Sequence, residues 1–329
     1  MPRYQVYAIG NALVDMEYEV THEDLERLGI DKGVMTLVDE AHQETIMAHL
    51  EEHHHKRGSG GSAANTVIAV NQFGGKGFYS CKVADDHLGH FYMDDLIAGG
   101  VDTNHHSEKD TGHTGRCVVL VTPDSDRTMC TFLGVSSGLS ERELVFDALR
   151  ESEYLYNEGY LVTSDTARAA TVRAKRLADE SGIKTAISLS DPNMVKFFKP
   201  GLLEMIGSGV DLLFANEDEA MGMAESTDLG TTVESLKTLA REFAITRGPR
   251  GALVYDGERL HEIPGIKVQA VDTVGAGDMF AGAFLYALTQ GWDHRRAGEL
   301  ACAASAKLVT SLGPRIDKAE TQGILKSFL

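Results

Sequence analysis

From residue 153 to residue 246, short apolar runs alternate with longer amphipathic stretches, and this alternation constrains the fold more than any other feature of the chain. Strand-like segments fall at 153–157, 184–189, 211–215 and 243–246. Helix-like stretches occupy the intervals at 165–181, about 194–207, 217–224 and 231–241. Ser164 or Asp165 can cap the first of these helices and Gly182 can end it. Strands joined to one another through helices build βαβ units, and these predict a parallel sheet. Upstream, residues 4–9, 13–20, 34–38, 116–121 and 127–133 read as strands. The last two are joined through Pro123-Asp124-Ser125 as a hairpin. Downstream, 252–263 reads as a hairpin turning at Asp256-Gly257, followed by helices at 277–290 and about 294–311. Length and pattern predict a three-layer α/β/α fold with a mainly parallel sheet, and no long linker or internal repeat divides the 329 residues.

Asp272-Thr273-Val274-Gly275-Ala276-Gly277-Asp278 is the most informative segment. A turn of small residues lets a ligand approach the main chain. The helix that follows then points its first N–H groups at that ligand and favours negative charge. A cap would explain Asp278 alone, but not Gly-Ala-Gly before it together with a second aspartate. A second small-residue loop, Gly58-Ser59-Gly60-Gly61-Ser62-Ala63-Ala64-Asn65, enters another helix. Glycine N–H groups and an Asn amide there suit a polyol. Gly10-Asn11-Ala12-Leu13-Val14-Asp15 follows the first strand and offers a carboxylate at a strand end. Asn216-Glu217-Asp218-Glu219 follows the strand at 211–215 and also reads as a capped, acidic first helical turn. Thr246-Arg247-Gly248-Pro249-Arg250-Gly251 follows the next strand. The run His53-His54-His55 reads as a solvated helix end rather than a metal site, because adjacent helical residues point in different directions.

Composition limits the partners. With 31 basic and 49 acidic residues the net charge is −18, which argues against nucleic acid and against an anionic membrane. A phosphate site must therefore be assembled locally. Cys81, Cys117, Cys130 and Cys302 form no C-x-x-C pair, and no long apolar run is present, so a soluble cytoplasmic protein is expected. No G-x-G-x-x-G follows a strand, and neither a P-loop nor a G-x-S-x-G elbow occurs.

These motifs, in this order, resemble those of the PfkB, or ribokinase-like, carbohydrate and nucleoside kinases, from about residue 5 to 315. DTVGAGD is similar to the family's D-T-x-G-A-G-D turn. The resemblance implies Asp278 as catalytic base and Gly275, Ala276 and Gly277 as an anion hole. GGSAAN is similar to G-G-x-x-x-N, which implies that Gly61, Ser62 and Asn65 touch substrate hydroxyls, with Asn11 and Asp15 beside them. Asn216 and Glu219 match N-x-x-E, which orders the water shell of Mg²⁺ bound with ATP. Thr246, Gly248 and Gly251 match the T-x-G-x-x-G loop at the ATP phosphates. Ser188–Asn193, Thr114–Cys117 and Asp126–Met129 resemble segments of bacterial adenosine kinase-like members. Arg127 is expected to reach the transferred phosphate, and residues 301–305 with Leu312-Gly313 to lie by adenine and a K⁺ site.

The resemblance implies one kinase domain over 1–329, with a small β lid from about 12–40 and 110–134. It also implies a monomer or homodimer whose partners are small molecules and ATP. Ser62 stands where ribokinases carry Lys, and G-N-x-L-x-D looks more like adenosine kinases. The expected activity is ATP-dependent phosphorylation of a purine nucleoside 5′-hydroxyl, adenosine first, by in-line transfer. Leu37, Cys117 and Phe132 are expected to sandwich the base. A ribose- or fructose-type sugar kinase, or an inosine or guanosine kinase, is the alternative. A non-catalytic nucleoside or nucleotide sensor is the rival of a different class.

Overall fold

The computed structural model describes residues 2–33, 35–50, 55–104, 110–124 and 127–329. In chain order its strands are β1 (Tyr4–Ile9), β2 (Leu13–Glu19), β3 (Met35–Leu37), β4 (His55–Ser59), β5 (Gly77–Ser80), β6 (Asp102–Thr103), β7 (Gly115–Val121) and β8 (Arg127–Phe132). They continue with β9 (Ser152–Glu158), β10 (Lys184–Ser188), β11 (Val210–Asn216), β12 (Ala240–Thr246), β13 (Gly251–Tyr255) and β14 (Leu260–Pro264). The larger sheet runs β14-β13-β12-β11-β10-β9-β1-β5-β6. It is parallel from β12 to β6, and the β13–β14 hairpin closes one edge antiparallel.

Side-chain alternation along these strands builds two cores. Val6, Ala8, Tyr154, Tyr156, Ala186, Leu212 and Phe214 face one layer, where helices Ser62–Phe73, Ala276–Thr289 and His294–Leu308 pack. Tyr7, Ile9, Leu155, Ile187, Leu213 and Phe243 face the other, covered by helices Asp165–Ser181 and Pro192–Ile206. A central parallel strand is buried on both faces, which explains near-continuous apolar runs such as Leu212-Leu213-Phe214. Helix Asp165–Ser181 begins where Ser164 accepts from the Ala167 N–H and ends at Gly182 in the left-handed conformation.

The second sheet has the order β3-β8-β7-β2-β4. The β7–β8 hairpin forms as the sequence predicts, while β2 pairs parallel with β7 and antiparallel with β4. Two expectations need correction. The helix read at 231–241 is Leu229–Leu236, and β12 already starts at Ala240, paired with Val210. Leu236 and Ala240 keep helical spacing, so only the parallel pairing with β11 reveals the break. The helix before the His run ends at His49, and His55 opens β4 instead of closing a helix. His53 and His54 lie outside the described residues, as does Asp126. No helix among the described residues is long and apolar enough to cross a membrane.

Candidate active site

In a parallel sheet, loops at the carboxyl ends of the strands converge on one crevice. Here Glu158, Ser188, Asn216 and Thr246, from the ends of β9, β10, β11 and β12, line a cavity of about 390 Å³. Asp15, Gly61, Ser62, Asn65 and residues 273–278 line it too. The small sheet adds an apolar roof of Met35, Leu37, Cys117, Met129 and Leu133.

Helix Ala276–Thr289 starts at Gly275, which has φ 76° and no side-chain cap. Gly275 is needed twice over. Its φ disfavours any side chain, and a Cβ there would run into Pro314. The Ala276 N–H donates to the Thr273 carbonyl at 3.2 Å, and with no side-chain cap the remaining N–H dipoles of the helix start face an incoming anion. Asp278 lies one turn in. Its carboxylate accepts from Ser62 Oγ at 2.6 Å and from Asn65 Nδ2 at 3.0 Å. Burial raises its pKa above the usual carboxylate value, while Ser62, Asn65 and Arg315 oppose that rise. Ser62 and Asn65, expected at substrate hydroxyls, line the cavity with Ser62 Oγ and Asn65 Nδ2 turned to Asp278.

Asp15 sits on β2 against the Gly60 main chain, where a Cβ would collide with its carboxylate. Gly61, at φ 96°, brings the loop close to the Asn11 carbonyl. Desolvation pushes Asp15 up to about 7 against the pull of Arg315 and Arg127. Asn11 lines the cavity and is held in place. Its N–H donates to Glu158 Oε1 at 2.7 Å, and its Oδ1 accepts from Ser136 at 3.1 Å.

At the other end, Asn216 and Glu219 form a reciprocal capping box. The Asn216 N–H and Nδ2 donate to Glu219 at 2.9 and 2.7 Å, and Asn216 Oδ1 accepts from the Glu219 N–H at 2.8 Å. Both also line the cavity, so the capping role does not take them out of the site. Burial raises Glu219 to about 7. Among the described residues no cluster of three ligating side chains could seize a metal directly. Glu219 therefore suits a cation reached through water, because each carboxylate oxygen keeps a lone pair beyond its capping bond.

Four expected residues are not brought to the cavity. The Arg127 guanidinium lies 3.0 Å from both Glu17 and Asp272, tying the small sheet to the foot of the anion-hole turn. Gly248 and Gly251 flank a one-turn 3₁₀ segment, and Gly251 lets the chain pass against the Ile263 carbonyl, a packing role. Thr246 alone of that loop reaches the cavity. Phe132, expected in the base sandwich, stands on the opposite face of β8 from Met129 and Thr131, 5.8 Å from the Arg116 guanidinium.

Two residues with central positions escaped the sequence reading. Glu158 is 1% exposed and clasps the N–H groups of Asn11 and Ala63. Its place at the carboxyl end of an apolar strand was the available signal. Arg315 donates to Asn65 at 2.8 Å. Nothing local marks it, because its partners are more than 200 residues away.

Known proteins resemble this chain in sequence and in fold. An adenosine kinase structure from Sinorhizobium meliloti superposes with a TM-score of 0.90 at 33% identity, covering 99% of each chain. The adenosine kinase of Schizophyllum commune is 28% identical over 88% of this chain and 90% of its own length. The ribokinase of Haemophilus influenzae is 27% identical over 77% of this chain and 82% of its own. The model of the pfkB family of carbohydrate kinases matches residues 30–322. The chain belongs to that family and is an ATP-dependent phosphotransferase.

Proposed function

We propose that the protein transfers the γ-phosphoryl group of ATP to the 5′-hydroxyl of a purine nucleoside, adenosine first. The observation that carries this reading is the apolar roof of Met35, Leu37, Cys117 and Met129 above Asp15 and Ser62. A free sugar needs hydrogen-bonding partners on all sides, whereas a flat base suits an apolar slot. The likeness to two adenosine kinases points the same way, and the ribokinase relative keeps a sugar as the alternative acceptor.

In this reading Asp15 accepts two ribose hydroxyl protons and fixes the sugar. The 5′-oxygen then faces the γ-phosphorus in line with the bond to ADP. As the O–P bond forms and the bond to the β-phosphate oxygen breaks, Asp278 takes the hydroxyl proton and ADP leaves. Its upward shift brings the base nearer to working pH. The amides at 275–277 stabilise charge on the moving phosphoryl group. Asn216 and Thr246 face the nucleotide phosphates. Glu219 would hold Mg²⁺ through water when it is bound with ATP, and the ion would there offset phosphate charge.

The test is ADP release from Mg-ATP with adenosine, inosine, guanosine, ribose and fructose as acceptors. A nucleoside should give a kcat/KM of about 10⁴ M⁻¹s⁻¹ or more. Turnover of sugars alone would overturn the acceptor. Tight nucleoside binding without ADP release would overturn catalysis in favour of a sensor.

A further inference from the structure

The turn after helix His294–Leu308 touches both small-residue motifs of the site. The Gly313 N–H donates to Asp272 at 2.7 Å, and Pro314 packs against Gly275. The next residue, Arg315, extends across to the other motif. Its Nε donates to Asn65 Oδ1 at 2.8 Å, and its Nη1 donates to Asp95 at 2.8 Å and to Ser59 at 3.1 Å. Ser59 also donates to that same Asp95 oxygen. The Arg315 side chain is only 20% exposed.

We infer that Arg315 is a positioning residue for phosphoryl transfer: it dictates which way the Asn65 amide points, and so where Asp278 is held, and it supplies the fixed positive charge behind the acceptor pocket. This deepens the reading of Asp278 as the base and rests on it. The amide argument follows from donor and acceptor inventory. A guanidinium only donates, so the Asn65 atom facing it must be the oxygen. The amide nitrogen is then forced towards the Asp278 carboxylate, which accepts it at 3.0 Å. Without Arg315 only the Asp278 carboxylate, itself an acceptor, would select the amide NH₂, so the amide would be held from one side instead of two. Lysine cannot replace the device, because one ammonium lacks the rigid fork that spans Asn65 and Asp95 together.

The charge argument is independent. Arg315 pulls the pKa of both Asp15 and Asp278 down against the desolvation that raises them. On the small-sheet side the other charges facing Asp15 are Arg127 and Glu17, with the Cys117 thiol beside it. From the large sheet and its loops, Glu158, Glu219, Tyr156 and Tyr160 face Asp278. Among the described residues Arg315 is the cation that acts on both carboxylates.

The experiment compares wild type with Arg315→Met, Arg315→Lys, Asp95→Asn and Asp278→Asn. It follows kcat and both KM values from pH 5 to 9, with melting temperature as the folding control. Arg315→Met should lower kcat at pH 7 by about tenfold to a hundredfold, leave the ATP KM within about twofold, and move the acid limb to higher pH. Arg315→Lys should lose kcat but keep the limb. Asp95→Asn removes a compensating negative charge, so its limb should move to lower pH. It carries the test if Arg315→Met does not fold. A merely structural role would lower the melting temperature and move neither limb. An inactive Asp278→Asn with unmoved limbs in the Arg315 and Asp95 variants overturns this inference alone. An active Asp278→Asn overturns the base assignment beneath it.

Discussion

Glu158→Gln tests whether the carboxylates of this site are as strained as their burial implies. Glu158 joins the turn after β1 to the start of helix Ser62–Phe73, accepting from Asn11 at 2.7 Å and from Ala63 at 2.8 Å. Desolvation outweighs those two bonds and pushes its pKa from 4.5 up to about 7. A folded-state pKa above the unfolded one means stability that is present at low pH and lost as pH rises through the folded value. Integrating from pH 5 to pH 8, with 4.5 unfolded and about 7 folded, gives about 2.5 kcal/mol lost through this one group. Glutamine does not titrate, but its amide NH₂ must face one of the two backbone N–H groups. The variant should therefore be about 1–3 kcal/mol less stable at pH 5, and the gap should close by about 2.5 kcal/mol at pH 8. Urea unfolding of both proteins at both pH values measures this, and the titrating groups that do not interact with Glu158 cancel in the double difference. A gap of the same size at pH 5 and pH 8 would refute the argument.

Two further predictions concern the acceptor and the anion hole. Asp15→Ala removes a charged acceptor of two hydroxyls, at about 1.5 kcal/mol or more each. The nucleoside KM should rise by about a hundredfold with the ATP KM nearly unchanged, and steady-state kinetics showing the reverse would move the sugar site elsewhere. Gly275→Ala places a methyl group at φ 76° against Pro314. It should cost about 1–3 kcal/mol in stability and lower kcat. A variant with wild-type melting and turnover would show that the turn is not held as described.

The layered fold was legible because its signal is local. Each strand from β9 to β11 is a short apolar run followed by a cap or a turn residue, as at Ser164 and Asn216. The reading failed where local signals compete, as at Leu236–Ala240, which spaces like a helix but pairs as a strand. The site divided in the same way. Asp278, Asn65 and Asp15 stand in compact motifs whose small residues announce a close approach. Glu158 and Arg315 act across the fold and have no motif around them. Phe132 was misplaced for want of a face assignment, since Met129 and Thr131 alternate with it along β8. Arg127 was placed by resemblance at the phosphate. Its pairing with Glu17 and Asp272 depends on two segments more than 100 residues away on either side.

The most direct test of the account is the turnover of Asp278→Asn with saturating Mg-ATP and adenosine. Asparagine keeps the shape and one acceptor for Ser62, but it cannot take the 5′-hydroxyl proton. The account predicts a fall in kcat of about 10²–10⁴-fold, with both KM values within a few-fold of wild type. A kcat within tenfold of wild type would contradict it.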